Sequence, residues 1–388
     1  MREGWTPTAF ADIAEFRNGL NFVRGESGHT VKVVGVGDFQ RHETLADFSD
    51  TASVTISNRI AQKDLLRDND LLFVRSNGNK ALVGRCVLIS GIKEPVTFSG
   101  FTIRARVKCP NVDHSYLSKL VRSPLFLEHL YRRGGGSSIS NLSQDALAEF
   151  TFGLPPLPEQ RKIAVILRTW DEALEKLTAL RATKARQLVG LGLALIDRAA
   201  NEPATVSRPL ADLVRIIKGK QLNKLDIASG EYPVWNGGIS PSGFHDEWNT
   251  EGGTITISEG GNSCGFVNVS ETRFWLGGHC YALQELSNMI ERDFLFHALK
   301  SREAEIMRLR VGSGLPNIQR GDLERLQVVV PARDLQKKIA LALTAGNEEL
   351  TLLDTEIKAL NDQKRGLMQK LLTGEWRVEV SDDEEAAA

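Results

Sequence analysis

Leu154-Pro155-Pro156-Leu157-Pro158-Glu159-Gln160-Arg161-Lys162-Ile163-Ala164 opens a long amphipathic stretch. Proline is tolerated in the first helical turn and little else of a helix, so the prolines mark a helix entrance. Beyond them Ile163, Leu167, Trp170, Leu174, Leu177, Leu188, Leu191 and Leu195 recur at alternating steps of four and three, with Arg181 and Lys184 at the two missing positions. A 3.5-residue repeat keeps one narrow apolar stripe facing a partner helix, the seam of a coiled coil. At roughly 1.5 Å per residue, about 40 residues make a rod of about 60 Å.

The partner lies near the other end of the chain. Val330-Pro331-Ala332-Arg333-Asp334-Leu335-Gln336-Lys337-Lys338-Ile339-Ala340 repeats the entrance 176 residues on, matching at Gln336, Lys338, Ile339, Ala340 and Leu343. Ile339, Leu343, Leu350, Leu353, Ile357, Leu360, Leu367 and Leu371 continue the alternation, interrupted at Gly346 and Lys364. Two matching seams can bury each other, and neither is stable alone in water.

Composition fits a globular protein of two or three domains: 388 residues, 41% hydrophobic and 25% charged. Met1-Arg2-Glu3-Gly4-Trp5 lacks the basic-then-apolar pattern of a signal peptide, and no apolar run approaches the ~20 residues of a membrane span. A soluble, cytoplasmic protein is expected. Cys86, Cys109, Cys264 and Cys280 form no CxxC pair and read as buried, reduced thiols. A net charge of −1 neither requires nor excludes a polyanionic partner, since a basic face can be offset elsewhere. Ser381–Ala388 ends the chain in an acidic, alanine-rich tail, read as solvated.

The segment before the first rod mixes periodicities. Phe10 to Phe16 has helical spacing and meets Asn18-Gly19, read as a helix stop. Val31–Gly37, Leu71–Val74, Val83–Ile89 and Phe101–Val107 read as short strands, and Tyr116–Tyr131 as helix. A polar loop, Gly134–Asn141, follows. The segment between the rods rewrites that plan. Leu210-Ala211-Asp212-Leu213 with Gly219 echoes Phe10-Ala11-Asp12-Ile13 with Gly19, and Thr254–Asn262 echoes Leu71–Asn79. Gly277-Gly278 echoes Ser99-Gly100, Phe294-Leu295 echoes Tyr116-Leu117, and Gly312–Ile318 echoes the loop ending at Asn141-Leu142.

The expected architecture is therefore α+β: two similar globular domains separated by two long helices that form an antiparallel coiled coil with pseudo-two-fold symmetry. The boundaries expected are 1–153 for the first domain, 154–200 for the central helix, 201–329 for the second domain, 330–375 for the C-terminal helix and 376–388 for the tail. Duplex DNA has approximate two-fold symmetry too, so two heads at fixed spacing can read two separated sites. A ~60 Å rod caps their separation at under roughly 18 base pairs.

The Pro-Pro-Leu-Pro-Glu-Gln-Arg-Lys-Ile entrance at 155–163, its echo at 331–339, the heptad rods and Trp5…Ala11-Asp12-Ile13 with Gly19 resemble the specificity subunit of type I restriction–modification systems. The resemblance covers nearly the whole chain. It implies two target-recognition domains, each reading one half of a split double-stranded DNA site. It also implies rods that set the unread gap and bind two modification (adenine-N6 methyltransferase) subunits, with restriction (motor-nuclease) subunits joining the complex in phage defence. S-adenosylmethionine and ATP with magnesium belong, on this resemblance, to those partners, and no cofactor to this chain. The second entrance departs from the pattern, having lost two prolines and the glutamate.

Candidate DNA contacts in the first domain are Arg75, Ser76, Asn77, Asn79, Lys80 and Arg85. Arginine pairs bidentately with guanine and asparagine with adenine, while Lys80 suits phosphate. The same stretch also reads as a hairpin turn, Asn-Gly being a strong hairpin signal. In the second domain the candidates are Ser258, Glu259, Asn262 and Ser263, with Lys218, Lys220, Asn223 and Lys224 as a basic stretch after a helix and Trp235-Asn236 as an aromatic beside an amide. Glu259 could accept from cytosine and Asn262 read adenine. Trp235 reads first as core and only second as a DNA wedge, Lys218, Lys220 and Lys224 read equally as a solvated face, and Ser137, Ser138 and Ser313 read first as hinge residues and second as phosphate ligands.

No Asn/Asp-Pro-Pro-aromatic methylation motif and no GxxxxGK[ST] loop is present. Gly35-Val36-Gly37 reads as a turn, Glu356-Ile357-Lys358 as charges flanking a seam residue, and His279-Cys280 lacks zinc spacing. The expectation is a non-catalytic DNA-specificity subunit. The alternatives are a self-sufficient DNA enzyme, a coiled-coil scaffold, or the recognition subunit of another methyltransferase-based defence system.

Overall fold

A computed structural model describes residues 2–22, 28–39, 43–56, 60–133, 140–223, 227, 230–312 and 316–380. Gly134–Ile139, Lys224, Ser313 and Ser381–Ala388, singled out above, lie outside the described residues. The chain divides into two compact units, residues 1–176 with 357–388, and residues 177–356. Each unit thus holds one head and a part of both long helices.

The first unit runs β1 (Thr6–Ala9), α1 (Phe10–Ile13), β2 (Ala14–Asn18), β3 (His29–Val34), β4 (Thr44–Leu45), β5 (Ser53–Ile56), β6 (Leu71–Val74), β7 (Cys86–Ile89), β8 (Val96–Phe98) and β9 (Thr102–Val107). Helices α2 (His114–Leu120), α3 (Pro124–Arg133) and α4 (Gln144–Ala148), then β10 (Thr151–Leu154), lead into α5 (Leu157–Ala200). Its sheets are ordered β2-β9-β6-β7-β4, β5-β3-β8 and β1-β10. β6 is buried on both faces: Leu71 and Phe73 face the helices, while Leu72 and Val74 pack with Val34 of β3 and Val96 and Phe98 of β8. Phe10, Phe73, Tyr116, Phe126 and Phe150 form one core with Ile163 and Leu167 of α5.

The second unit comprises β11 (Val206–Pro209), β12 (Arg215–Lys218), β13 (Tyr232–Trp235), β14 (Phe244–His245), β15 (Ile255–Ser258), β16 (Val267–Val269), β17 (Trp275–Leu276) and β18 (Cys280–Gln284). Then come α6 (Arg292–Ser301), α7 (Glu303–Arg308), α8 (Arg320–Glu324), β19 (Gln327–Val330) and α9 (Arg333–Leu372). Sheet orders β12-β18-β15-β16, β14-β13-β17 and β11-β19 repeat those of the first unit, strand for strand, apart from β4. The parallel pairs match as well: β3 with β8, and β13 with β17.

Several expectations about secondary structure need correction. The helix read over Phe10–Phe16 is a single turn that gives way to β2, because residues 14–18 pair antiparallel with β9. Gly19 is accordingly no helix stop: a Cβ there would lie 2.1 Å from the Ser99 carbonyl oxygen, and one at Gly219 equally 2.1 Å from that of Gly277. Only glycine admits so close a backbone approach. Likewise Lys218 ends strand β12 and Gly219–Asn223 follow that strand and not a helix, and Tyr116–Tyr131 is two helices broken before Pro124.

The glutamine common to both helix entrances does one job twice. Gln160 Nε2 donates to the carbonyls of Asn111 (2.9 Å) and Pro155 (2.8 Å), and its Oε1 accepts from Asp113 N at 2.8 Å. Gln336 Nε2 donates to Met289 (2.9 Å) and Pro331 (2.8 Å), and its Oε1 accepts from Glu291 N at 2.8 Å. Both side chains are fully buried. Each ties the start of a long helix to the residue capping α2 or α6, satisfying backbone groups that would otherwise be buried unpaired.

Within each unit the two long helices run antiparallel. In the first, Lys364 pairs with Asp171 while Leu371 and Leu372 share the core with Ile163 and Leu167. In the second, Arg181 forks onto both Asp354 oxygens at 2.9 Å, Lys184 meets Glu349 at 2.8 Å, and Leu188 packs on Gly346. The polar seam positions therefore face opposite charges, and the glycine gap faces a leucine. Trp170, Leu174, Leu177, Leu188, Leu350, Leu353, Ile357, Leu360 and Leu367 are half-buried along the stripe, and Ile339 and Leu343 are buried. Leu191 departs from it, 45% exposed; the contact passes to Gly192, Leu195, Ile196 and Ala199. A straight helix of 3.6 residues per turn drifts about 20° per heptad from a 3.5 repeat, and Gly192 lets Ser301 of α6 approach there.

Candidate nucleic-acid interface

In each unit three segments meet where the central strand ends. After β6, Arg75 N donates to the Phe101 carbonyl at 2.8 Å, and the Arg75 carbonyl accepts from Leu142 N at 2.7 Å. After β15, Glu259 N donates to the His279 carbonyl at 2.8 Å, and the Glu259 carbonyl accepts from Ile318 N at 2.9 Å. Ser76 then bridges Asn141, as Gly260 bridges Asn317. Both loops return through a left-handed glycine, Gly84 at φ +83° and Gly265 at φ +92°, whose N donates to Val74 and Ser258 respectively.

Arg75 thus occupies the place of Glu259. This corrects the echo read from the sequence, which paired Leu71 with Thr254; the strands align Leu71 with Ile255, one residue on. A one-residue slip moves every side chain to the other face.

The loop between β6 and β7 is a wide one, with Asn77-Gly78 inside it rather than a two-residue turn. Gly78 is not left-handed, as a type I′ turn would require. Asn77 Oδ1 accepts from Asn79 N (2.8 Å) and Asn79 Oδ1 from Ala81 N (3.1 Å), so both amides shape the loop and cap the short turn at Lys80–Leu82. Asn79, Lys80 and Arg85 are exposed, while Arg75, Ser76 and Asn77 are half-buried. Among the described residues neither Lys80 nor Arg85 has an ion-pair partner. Arg75 Nη1 donates a long 3.4 Å bond to the Gly100 carbonyl.

Glu259 sits in a more structured setting, its side chain 13% exposed. Its Oε1 accepts from Lys218 Nζ at 2.6 Å and from the Tyr281 hydroxyl at 3.1 Å. Burial, and then the Glu259 carboxylate, push the Tyr281 hydroxyl up to about 12, so it stays a donor at neutral pH. Asn262 is exposed and Ser263 half-buried at the loop tip. Ser258 is buried at 3% exposure in register with Cys280, out of reach of a ligand. Lys220 and Asn223 are exposed; Lys220 N is tied to the Leu276 carbonyl, and Lys220 bridges Gly277 of the adjoining turn. Trp235 is half-buried against Phe274, Leu276, Cys280 and Ala282, a core position, while Asn236 Oδ1 accepts from His279 N at 3.2 Å and braces the turn.

Sequence reading missed Tyr281, Phe101 and His279. The last two take equivalent places, exposed, at the turn that receives Arg75 or Glu259. Phe101 is 61% exposed, an aromatic face beside Arg75. The available signal was that each directly follows a glycine-containing echo, Ser99-Gly100 or Gly277-Gly278.

Other chemistry is accounted for structurally. Cys86, Cys264 and Cys280 are buried, and Cys109, expected buried, is half-exposed. Burial pushes Cys86 up to about 12 and Cys280 to about 11, away from reactive thiolate. Among the described residues no cluster of His, Cys, Asp or Glu is arranged to hold a metal, and no helix is long and apolar enough to cross a membrane. Gly35 lies at a short turn whose Asp38 carboxylate accepts from Gly35 N at 2.8 Å. Glu356 and Lys358 are exposed on α9.

Comparison with known proteins bears on both units. A family model described as the type I restriction modification DNA specificity domain matches residues 2–183 and 204–362. A protein named as a type I specificity subunit of Mycoplasma pneumoniae is 35% identical over 158 residues, 40% of each chain. One from Mycoplasma genitalium is 30% identical over 182 residues, 45% of this chain and 47% of that one. The match thus spans under half the length of these two relatives. The MjaX specificity subunit of Methanocaldococcus jannaschii is 21% identical over 97% of this chain and 95% of its own. Among solved structures, the S subunit of a type I restriction–modification system from M. genitalium shares the fold with a TM-score of 0.56 at 19% identity, covering 95% of this chain and 96% of that one. A second, from a structure on complex assembly and conformational transition of the type I system, gives 0.59 at 16% identity, covering 97% and 99%. With one family match in each half of a duplicated fold, the chain belongs to the type I restriction–modification DNA specificity family.

Proposed function

We propose that this chain is the non-catalytic DNA-reading subunit of a type I restriction–modification complex. Each head reads one half of a split double-stranded site, and the paired helices hold two adenine-N6 methyltransferase subunits, to which restriction subunits add. The observation that carries this reading is one scaffold built twice, with the same backbone hydrogen bonds where the central strand ends and loops of opposite chemistry at that place. A framework repeated while its exposed ends diverge is what reading two different half-sites requires.

In this mechanism the chain supplies position and sequence choice alone. Exposed Lys80, Arg85, Lys220 and Asn223 hold the phosphate backbone and register, and the residues at the strand ends face base edges in the major groove. Target adenines leave the stack to be methylated by the partner subunits, which bring S-adenosylmethionine; ATP and magnesium serve the motor-nuclease subunits. The test is reconstitution: purified chain with modification subunits methylates adenines only within a two-part sequence. Indiscriminate methylation, or turnover by the chain alone that one point change abolishes, overturns the proposal.

A further inference from the structure

We infer that Arg75 and Glu259 occupy one and the same reading position in the two units, so that Arg75 selects guanine in one half-site and Glu259 selects cytosine in the other. The inference rests on the DNA-reading function proposed above and deepens it to named bases. The equivalence comes from backbone geometry. Both residues follow the central strand, both donate N–H to the same turn, and both accept from the loop that precedes the helix entrance. With the backbone held on both sides, the side chain is what differs between the units.

The chemistry then divides. A guanidinium offers paired donors that match guanine O6 and N7, both acceptors. A carboxylate offers only acceptors and matches the cytosine N4 amine. Glu259 is oriented for this: Lys218 and Tyr281 both donate to Oε1, and among the described residues no hydrogen bond reaches Oε2. The Tyr281 hydroxyl also lies 3.2 Å from the Ile318 carbonyl, so its single proton is shared between that oxygen and Glu259 Oε1. Lys218 and Tyr281 are positioning residues on this account. Arg75 is held more loosely, by its single long bond to Gly100, and its backbone N donates to the carbonyl of exposed Phe101. Each half-site therefore contains a G·C pair, approached from the purine side in one and the pyrimidine side in the other.

Adenine methylation by the complex of full chain and modification subunits, mapped across a genome, tests this with Arg75→Ala and Glu259→Gln. Glutamine keeps an oxygen for Lys218 and Tyr281 but can set an N–H₂ against the cytosine amine, so it separates reading from mere support. Discrimination at one G·C position of one half-site should fall about 10- to 100-fold in each variant, with the other half-site and the gap unchanged. Half-sites unchanged in either variant, or a wild-type half-site without a G·C pair, overturn the inference and leave the two-headed reading standing. Indiscriminate methylation by the wild-type complex overturns that reading itself. Thermal unfolding of both variants within a degree or two of wild type excludes misfolding as the cause of a relaxed site; a cooperative transition lost in both Glu259→Gln and Arg75→Ala makes these residues structural and overturns the inference.

Discussion

The joint between head and helix is ionic in the first unit and neutral in the second. In the first, Lys119 of α2 reaches Asp171 of α5 and Glu43, Lys364 of α9 adds to Asp171, and Arg122 meets Glu43 at 3.3 Å. In the second, His297 stands on α6 where Lys119 stands on α2, and Asn347 stands on α9 where Asp171 stands on α5. His297 Nε2 lies 2.8 Å from Thr344 Oγ1, and Asn347 Nδ2 donates to its Nδ1 at 3.5 Å. The buried glutamine clamp beside each joint is the same in both. The lesson is that contacts fixing a helix end to a head resisted change, because they satisfy buried backbone groups. Side chains on the half-exposed flank were free to exchange charge for hydrogen bonding.

Breaking the shared part should cost most and equally. Gln160→Ala and Gln336→Ala each strand one buried carbonyl, of Pro155 or Pro331, with a second carbonyl and an N–H that are part-buried; at ~1–3 kcal/mol for the buried group and less for the others, each should destabilise by roughly 3 kcal/mol. Urea unfolding with amide exchange read separately in α2 and α6 checks this; unequal costs would break the equivalence of the units. Next come Gly19→Ala and Gly219→Ala, whose new Cβ meets a backbone oxygen at 2.1 Å in each unit. Overpacking costs of about 1–3 kcal/mol are expected from both, seen as matched losses of melting temperature.

Solution conditions sharpen the contrast. Burial lowers the pKa of His297, against the opposing pull of Asp293. The folded state then binds fewer protons than the unfolded one, so this stability is present above about pH 6.5 and is lost as pH falls through it. Burial would raise Glu43, but Arg122, Lys119 and Lys364 outweigh it and hold the carboxyl at about 2, below its ordinary 4.5. Its contribution is present above about pH 4.5 and is lost only as pH falls from there toward 2. Burial also lowers His114 at the start of α2, so amide exchange at about pH 7.5 and about pH 5.5 is compared across variants: His297→Gln should remove the acid loosening of α6 and leave that of α2, and His114→Gln the reverse. Acid loosening of α6 that persists without His297 would refute the assignment. The smallest effect belongs to the exposed Arg181–Asp354 pair: Asp354→Asn should cost about 0.2–1 kcal/mol, less at 1 M salt, by thermal unfolding.

The duplication was legible because its markers are the residues least free to change. Gln336 repeats Gln160, and Ile339 and Leu343 repeat Ile163 and Leu167, which hold the deepest contacts of each helix. Strand register was not legible to the residue. β6 and β15 are buried on both faces, so no polar–apolar alternation records which residue faces which side, and Thr254 fitted Leu71 as well as Ile255 does. Gly19 misled because a glycine demanded by a backbone 80 residues away looks, along the chain, like a helix stop. At the candidate site, Arg75 and Glu259 carried legible chemistry in their own stretch. Tyr281 and Phe101 did not, since their relevance comes from sheet neighbours distant in sequence, and Ser258 offered a hydroxyl that the sheet buries.

The central claim, two independent readers on one repeated scaffold, is tested most directly by replacing residues 201–329 with the corresponding head of a relative of different target and mapping methylated adenines. One half-site should change to the donor's sequence while the other half-site and the gap persist. A change in both half-sites, or in neither, would contradict the account.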